Sequence, residues 1–172
     1  MQRDVSKFGI SDKKGRQATN TDPFLSHEGT REPSLCTTCH AAFHRKRWTC
    51  DSETYRELEL SPKINKVTCP ACRKIDAGYS EGIVTLRGSY LWKHEEEIRN
   101  ILKNEETKAY NKNPLERIIR VTRDKDEMVI ETTEEKLAEH LGRVLHRAHR
   151  GELKISWAGN PDLCRVSWER ML

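Results

Sequence analysis

Residues 69–87 read Cys69-Pro70-Ala71-Cys72-Arg73-Lys74-Ile75-Asp76-Ala77-Gly78-Tyr79-Ser80-Glu81-Gly82-Ile83-Val84-Thr85-Leu86-Arg87, and the chain changes character inside this stretch. Its first four residues are a Cys-x-x-Cys pair, the spacing with which one tight turn offers two thiolates to a metal ion. Its last seven alternate Ile83, Thr85 and Arg87 against Val84 and Leu86, the period of a strand with a buried face. A boundary near Asp76 or Ala77 follows, between a cysteine-bearing module over 34–76 and a regularly patterned domain over 77–172.

Upstream lies a second pair, Cys36-Thr37-Thr38-Cys39. Four thiolates on two turns can close a tetrahedron around Zn²⁺ and leave no coordination position for water, so the spacing predicts a structural zinc on Cys36, Cys39, Cys69 and Cys72. Three other readings exist. Cys36 to His40 matches the c-type haem attachment pattern, which belongs to exported proteins. His40, His44 or Cys50 could replace one cysteine in the shell. A redox pair would need a thioredoxin-like βαβ setting that neither motif has. Cys164, alternating with Val166 and Trp168, reads as a small buried hydrophobe.

Downstream, the patterns predict a helix from Ser89 to about Asn111, with Ser89 as its cap and Glu95, Glu96 and Glu97 near its start. Arg117–Arg123 and Glu127–Thr132 read as a hairpin turning on Asp124-Lys125-Asp126. Thr132 and Glu135 have the spacing of a capping box. The helix after it carries Leu137, Leu141, Val144, Leu145 and Ala148 on one stripe and stops at Gly151. A last hairpin, Glu152–Trp157 and Leu163–Trp168, turns on 159–162. The order β-α-β-β-α-β-β predicts an α+β fold, two helices on one face of a mostly antiparallel sheet with ferredoxin-like character, behind a small zinc-ribbon-like module.

The composition sets limits. In 172 residues, 35% are hydrophobic and 34% charged, against typical values of about 45–50% and 25%. The apolar core is therefore modest, and a small module without enough core needs a staple such as zinc. Residues 1–33 are polar, aperiodic and punctuated by Gly and Pro, which reads as a disordered or partner-ordered arm. No apolar run approaches the roughly 18 residues of a membrane span, and the first thirty residues lack a signal-peptide core. The expectation is a cytoplasmic protein without membrane contact.

Lys and Arg (31) exceed Asp and Glu (27). Between the cysteine pairs, Arg45, Lys46 and Arg47 lie between Phe43 and Trp48, and Arg73 and Lys74 follow the second pair. Cations beside stackable rings on a zinc knuckle suit RNA, the cations for phosphate and the rings for bases. Lys136, His140, Arg143, Arg147 and Arg150 form a second cationic stripe on the last helix. No phosphate-binding loop, nucleophile elbow, zinc-protease motif or dinucleotide loop occurs, so the chain reads as a non-enzyme.

The junction quoted at the outset resembles that of the large-ribosomal-subunit export adaptor family of archaea and eukaryotes, the nonsense-mediated-decay adaptor family. There a Cys-x-x-Cys, a short basic linker and Gly-Tyr-Tyr-Glu lead into an apolar strand ending in Arg. The likeness extends more weakly through Arg117 to Trp168, and the chain is also similar to a small group of bacterial proteins of this size. Ser80 and Gly82 stand where the family has Tyr and Ala, and the family's further cysteine pairs and downstream domains have no counterpart here. The resemblance implies a ribosome-associated factor that binds large-subunit rRNA through the zinc module and the basic domain; ribosomal proteins are further expected partners, and the chain is expected to be a monomer. In a bacterium its role would be subunit maturation, quality control or hibernation by occupancy of a ribosomal site. The alternative is a protein-interaction adaptor that uses the zinc module and the acidic first helix.

Overall fold

The computed structural model of the protein describes residues 23–24, 30–159 and 162–172. Most of the expected arm, and the middle of the 159–162 turn, lie outside the described residues. The fold is α+β, with two mixed sheets and five helices.

The first sheet joins β1 (Ser34–Cys36), β2 (Ala42–His44), β3 (Arg47–Thr49) and β4 (Asn65–Val67) in the order β3-β2-β1-β4. β1 and β4 run parallel, with Cys36 opposite Val67. The crossover between β3 and β4 carries α1 (Ser52–Glu59), whose N-cap Asp51 accepts hydrogen bonds from the Glu53 and Thr54 amides. From β4 the chain passes straight into α2 (Pro70–Ala77). Pro70 occupies the first helical position, where its missing N–H costs nothing, and Gly78 closes the helix in the left-handed conformation at φ 63°.

The second sheet holds β5 (Gly82–Arg87), β6 (Ile118–Asp124), β7 (Glu127–Thr132), β8 (Glu152–Gly159) and β9 (Asp162–Glu169), in the order β6-β7-β5-β9-β8. Three of its ladders are antiparallel, and β5 and β9 are parallel. The strand after the last helix takes the edge, and the final strand takes the central place beside β5. The first helix is broken where a single one was expected. α3 (Ser89–Lys93) and α4 (Glu95–Lys112) meet at His94, and Ser89 does not cap its helix but accepts a hydrogen bond from the Leu172 amide.

Two local expectations at the β6–β7 hairpin are also corrected. Asp124 pairs with Glu127, which leaves a two-residue turn. The expected capping box at Thr132 and Glu135 does not form. Glu134 is the N-cap of α5 (Glu135–His149), Thr132 donates to the Glu134 carbonyl, and Thr133 donates to that of Leu115.

The core lies between the helices and β5, β7 and β9, where Val84, Leu86, Leu91, Ile98, Met128, Ile130, Leu141 and Trp168 are buried. α5 turns Leu137, Ala138, Leu141, Gly142 and Leu145 inward, while Val144 is only half-buried and Ala148 is exposed. Small residues set this rotation. A Cβ on Gly142 would lie 2.4 Å from Val166 Cγ1, and one on Gly82 would lie 2.4 Å from Ala138 Cβ, so the helix rides directly on β5 and β9.

The two parts of the chain are joined through α2. Lys74, expected on an RNA-binding surface, is 1% exposed instead. Its Nζ sits 2.9 Å from Glu81 Oε1 and 3.2 Å from Glu134 Oε1, and donates to the Thr133 carbonyl at 3.3 Å. A buried ammonium needs paired charge and acceptors around it, and it meets them here on the residues that precede β5 and follow β7.

Two outcomes follow for urea unfolding of the full chain. Lys74→Ala removes a buried ammonium together with its contacts to Glu81, Glu134 and the Thr133 carbonyl and is expected to cost about 3 kcal/mol, whereas Arg73→Ala, one residue away and exposed, is expected to stay within about 0.5 kcal/mol. Gly142→Val is expected to cost about 1–3 kcal/mol by overpacking against Val166.

Candidate metal centre

Cys36 is the last residue of β1, and Cys39 lies on the turn that follows. His40 adopts φ 62° there, which lets its amide reach the Cys36 carbonyl at 3.1 Å while the Cys36 amide donates to Ala41 at 2.8 Å. The parallel register of β1 and β4 delivers the second pair: two residues beyond Val67, Cys69 begins α2 as its N-cap. Its sulfur accepts the Cys72 amide at 3.4 Å, doing what a Ser or Asp does at other helix starts. The Cys69 amide donates in turn to Cys36 Sγ at 3.3 Å.

All four sulfurs lie within 4.8 Å of one another, with Cys36 and Cys72 3.9 Å apart and Cys39 and Cys69 3.6 Å apart. A tetrahedron with metal–sulfur bonds of ~2.3 Å has edges of ~3.8 Å. The cluster can hold a metal ion, and the sulfurs fit a single tetrahedral one. Three of the four cysteines are buried and Cys39 is half-buried, so little of the cage is open to a substrate.

The thiols influence one another. The Cys36 thiol is held far below its ordinary range by hydrogen bonds from Cys39 and Cys69. Cys69 is driven up, first because it is a donor to Cys36. Burial pushes the Cys72 thiol up to about 12. Four thiolates crowded together cannot all ionise without a cation, and a metal ion supplies the missing charge. A nearby cation also helps: Arg117 Nη1 donates to Cys72 Sγ at 3.5 Å. Arg117, Leu115 and Tyr110, whose hydroxyl donates to the Cys39 carbonyl at 3.3 Å, dock the cage on the second part of the chain.

The other candidate ligands lie apart from the cage. His40 packs on the Tyr55 ring with centroids 5.0 Å apart, and the Cys50 thiol donates to the Asn111 carbonyl at 3.6 Å. Cys164 is buried in the second core, as expected.

The predicted RNA contacts divide into groups. Arg45, Lys46, Arg47 and Arg73 are exposed around the cage, and Lys136, Arg143 and Arg147 are exposed on α5. Arg143 is held 2.8 Å from Glu139, and His140 is held 2.7 Å from Glu105, which lowers the free charge of the α5 stripe. Trp48, expected to stack on exposed bases, is instead 8% exposed because it packs against the cysteine cluster and Phe43, the rings 5.4 Å apart. Phe43 itself is half-buried. On the acidic helix start, Glu95 pairs with Arg99 and Glu97 with His94.

Sequence reasoning missed the conformation of the β2–β3 tip. His44 pairs with Arg47, so the loop is Arg45-Lys46 alone, and both residues have positive φ, 52° and 62°. The Lys46 amide donates to Glu32 at 2.5 Å. Two-residue hairpin loops of this form favour Asn-Gly, and nothing in Arg-Lys announces one.

Comparison with protein families, with curated proteins and with solved structures gives no match. Among the described residues, no helix is long and apolar enough to cross a membrane.

The full chain is expected to bind one metal ion per molecule by elemental analysis, and Cys72→Ser to lose it. Binding must displace thiol protons, so affinity is expected to fall as pH is lowered, read by competition with a chromophoric chelator.

Proposed function

We propose that this chain is a non-catalytic, zinc-containing factor that binds RNA of the large ribosomal subunit and acts by occupying its site there. The observation that carries the reading is the hairpin tip. Placing an L-residue in the left-handed region costs roughly 1–2 kcal/mol, yet Arg45 and Lys46 stand where Asn-Gly would relax the turn. Strain of this kind collects at functional sites, and here its product is a pair of cations thrust out beside Arg47.

Further support comes from the exposed Arg73 beside the cage and the exposed Lys136 and Arg147 on α5. Two segments distant in sequence thus offer cations to a phosphate backbone. The junction's resemblance to the export adaptor family favours the ribosome over other RNA. Zinc is favoured because four thiolates at tetrahedral spacing suit a closed structural site, and a multi-iron cluster would hold the sulfurs farther apart.

The double variant Arg45→Asn/Lys46→Gly tests the reading. It should stabilise the fold by about 1 kcal/mol or more while weakening RNA binding and reducing the salt slope by about 2, one for each phosphate contact. Sedimentation with large subunits should weaken in parallel. An unchanged salt slope and unchanged sedimentation would refute the proposal.

A further inference from the structure

Beside the cage the structure has a cleft of ≈ 490 Å³, between the residues entering β1, strand β4 and the start of α2. Pockets for small organic ligands run from about 300 to 1,000 Å³, so the cleft is large enough for one nucleotide and too small for a duplex. Its walls divide by chemistry. Trp48, Ile64 and Val67 supply an apolar side, and Arg31, Lys66 and Arg73 supply cations. Among the described residues no carboxylate lines it, and none of the three cations joins a salt bridge.

Several arginines on the second sheet and its helices are held by carboxylates. Arg87 meets Glu127, Arg99 meets Glu95, Arg120 meets Glu131 and Arg143 meets Glu139. In the cleft, by contrast, Arg31, Lys66 and Arg73 share one concave surface with no carboxylate among its described lining residues. Such a surface attracts an anion, and the apolar wall beside it favours an anion that carries a flat ring. The walls are also held in place. Arg73 Nε donates to the Thr68 carbonyl at 3.0 Å, Asn65 Nδ2 donates to the Pro33 carbonyl at 3.0 Å, and Trp48 is wedged against Phe43 and the cysteine cluster. Trp48, buried on its other sides, is one of the residues that line the cleft.

We propose that the cleft receives a single unstacked nucleotide, its base against Trp48 and Ile64 and its phosphate against Arg31, Lys66 and Arg73. The inference rests on the RNA reading above and sharpens it: the RNA would be held at a single-stranded position with one base turned out. A free mononucleotide shares the same chemistry, and the experiment separates the two sources.

The full-length, metal-loaded protein labelled with ¹⁵N is titrated with hexauridylate, with AMP and with inorganic phosphate, and the Trp48 indole N–H and Lys66 amide signals are followed. Hexauridylate and AMP are expected to shift both signals, and phosphate at equal concentration to leave the indole unmoved. Arg31→Glu and Lys66→Glu, both at exposed positions, are each expected to weaken hexauridylate about tenfold or more with unchanged thermal stability. Hexauridylate binding that leaves Trp48 still and ignores both variants would overturn the cleft while sparing the RNA reading. AMP binding without hexauridylate binding would keep the cleft as a free-nucleotide site and remove the RNA reading. Phosphate acting on Trp48 as strongly as AMP would overturn the nucleotide assignment, and no binding by any of the three would overturn both.

Discussion

Everything in the N-terminal half of the described chain is organised by the convergence of four sulfurs. The module has three-residue strands, and its largest side chains rest on the cysteine cluster itself. Backbone amides are spent on sulfur rather than oxygen at Cys69 and Cys72, and the parallel pairing of β1 with β4 exists to bring the second pair back to the first. Without a cation among them, the four sulfurs cannot all be thiolates at once: Cys36 is lowered by hydrogen bonds from its neighbours, while Cys69 and Cys72 are raised. The module's order and the cage's occupancy are one question.

The second half is held by ordinary burial, and there the sequence was easiest to read. Alternation marked β5, β7 and β9, and the leucines of α5 marked its inward face, because period and burial coincide in these segments. Reading failed where small or polar residues decided the outcome. Gly142 and Ala138 rotate α5 by their lack of bulk, which a count of apolar residues does not register. Thr132 and Thr133 had the spacing of a cap but were drawn to carbonyls at Glu134 and Leu115. The break at His94 interrupts a pattern that contains neither Pro nor Gly.

At the candidate site, the four cysteines were legible because Cys-x-x-Cys spacing is imposed by ligand geometry. α2 carries the usual marks of a helix as well, with Pro70 just inside and Gly78 just past an eight-residue stretch, although its Cys-x-x-Cys spacing points first to a metal turn. The fate of the cations was not legible. Arg73 and Lys74 are neighbours in sequence, yet helical geometry sends one to solvent and the other to Glu81 and Glu134. The same holds for Trp48, whose burial depends on a partner ring five residues away across a hairpin.

Helix α2 is gripped at both ends by charge. Its first turn carries two of the cage's sulfurs, and its last turn carries the ammonium that is locked among acceptors flanking the strands beyond. The helix is thus fastened at both ends. Its far end contacts Thr133 and Glu134, the residues that launch α5. The residues that launch the far cationic helix are thus tied, through a single eight-residue helix, to the turn that bears two of the cage's sulfurs.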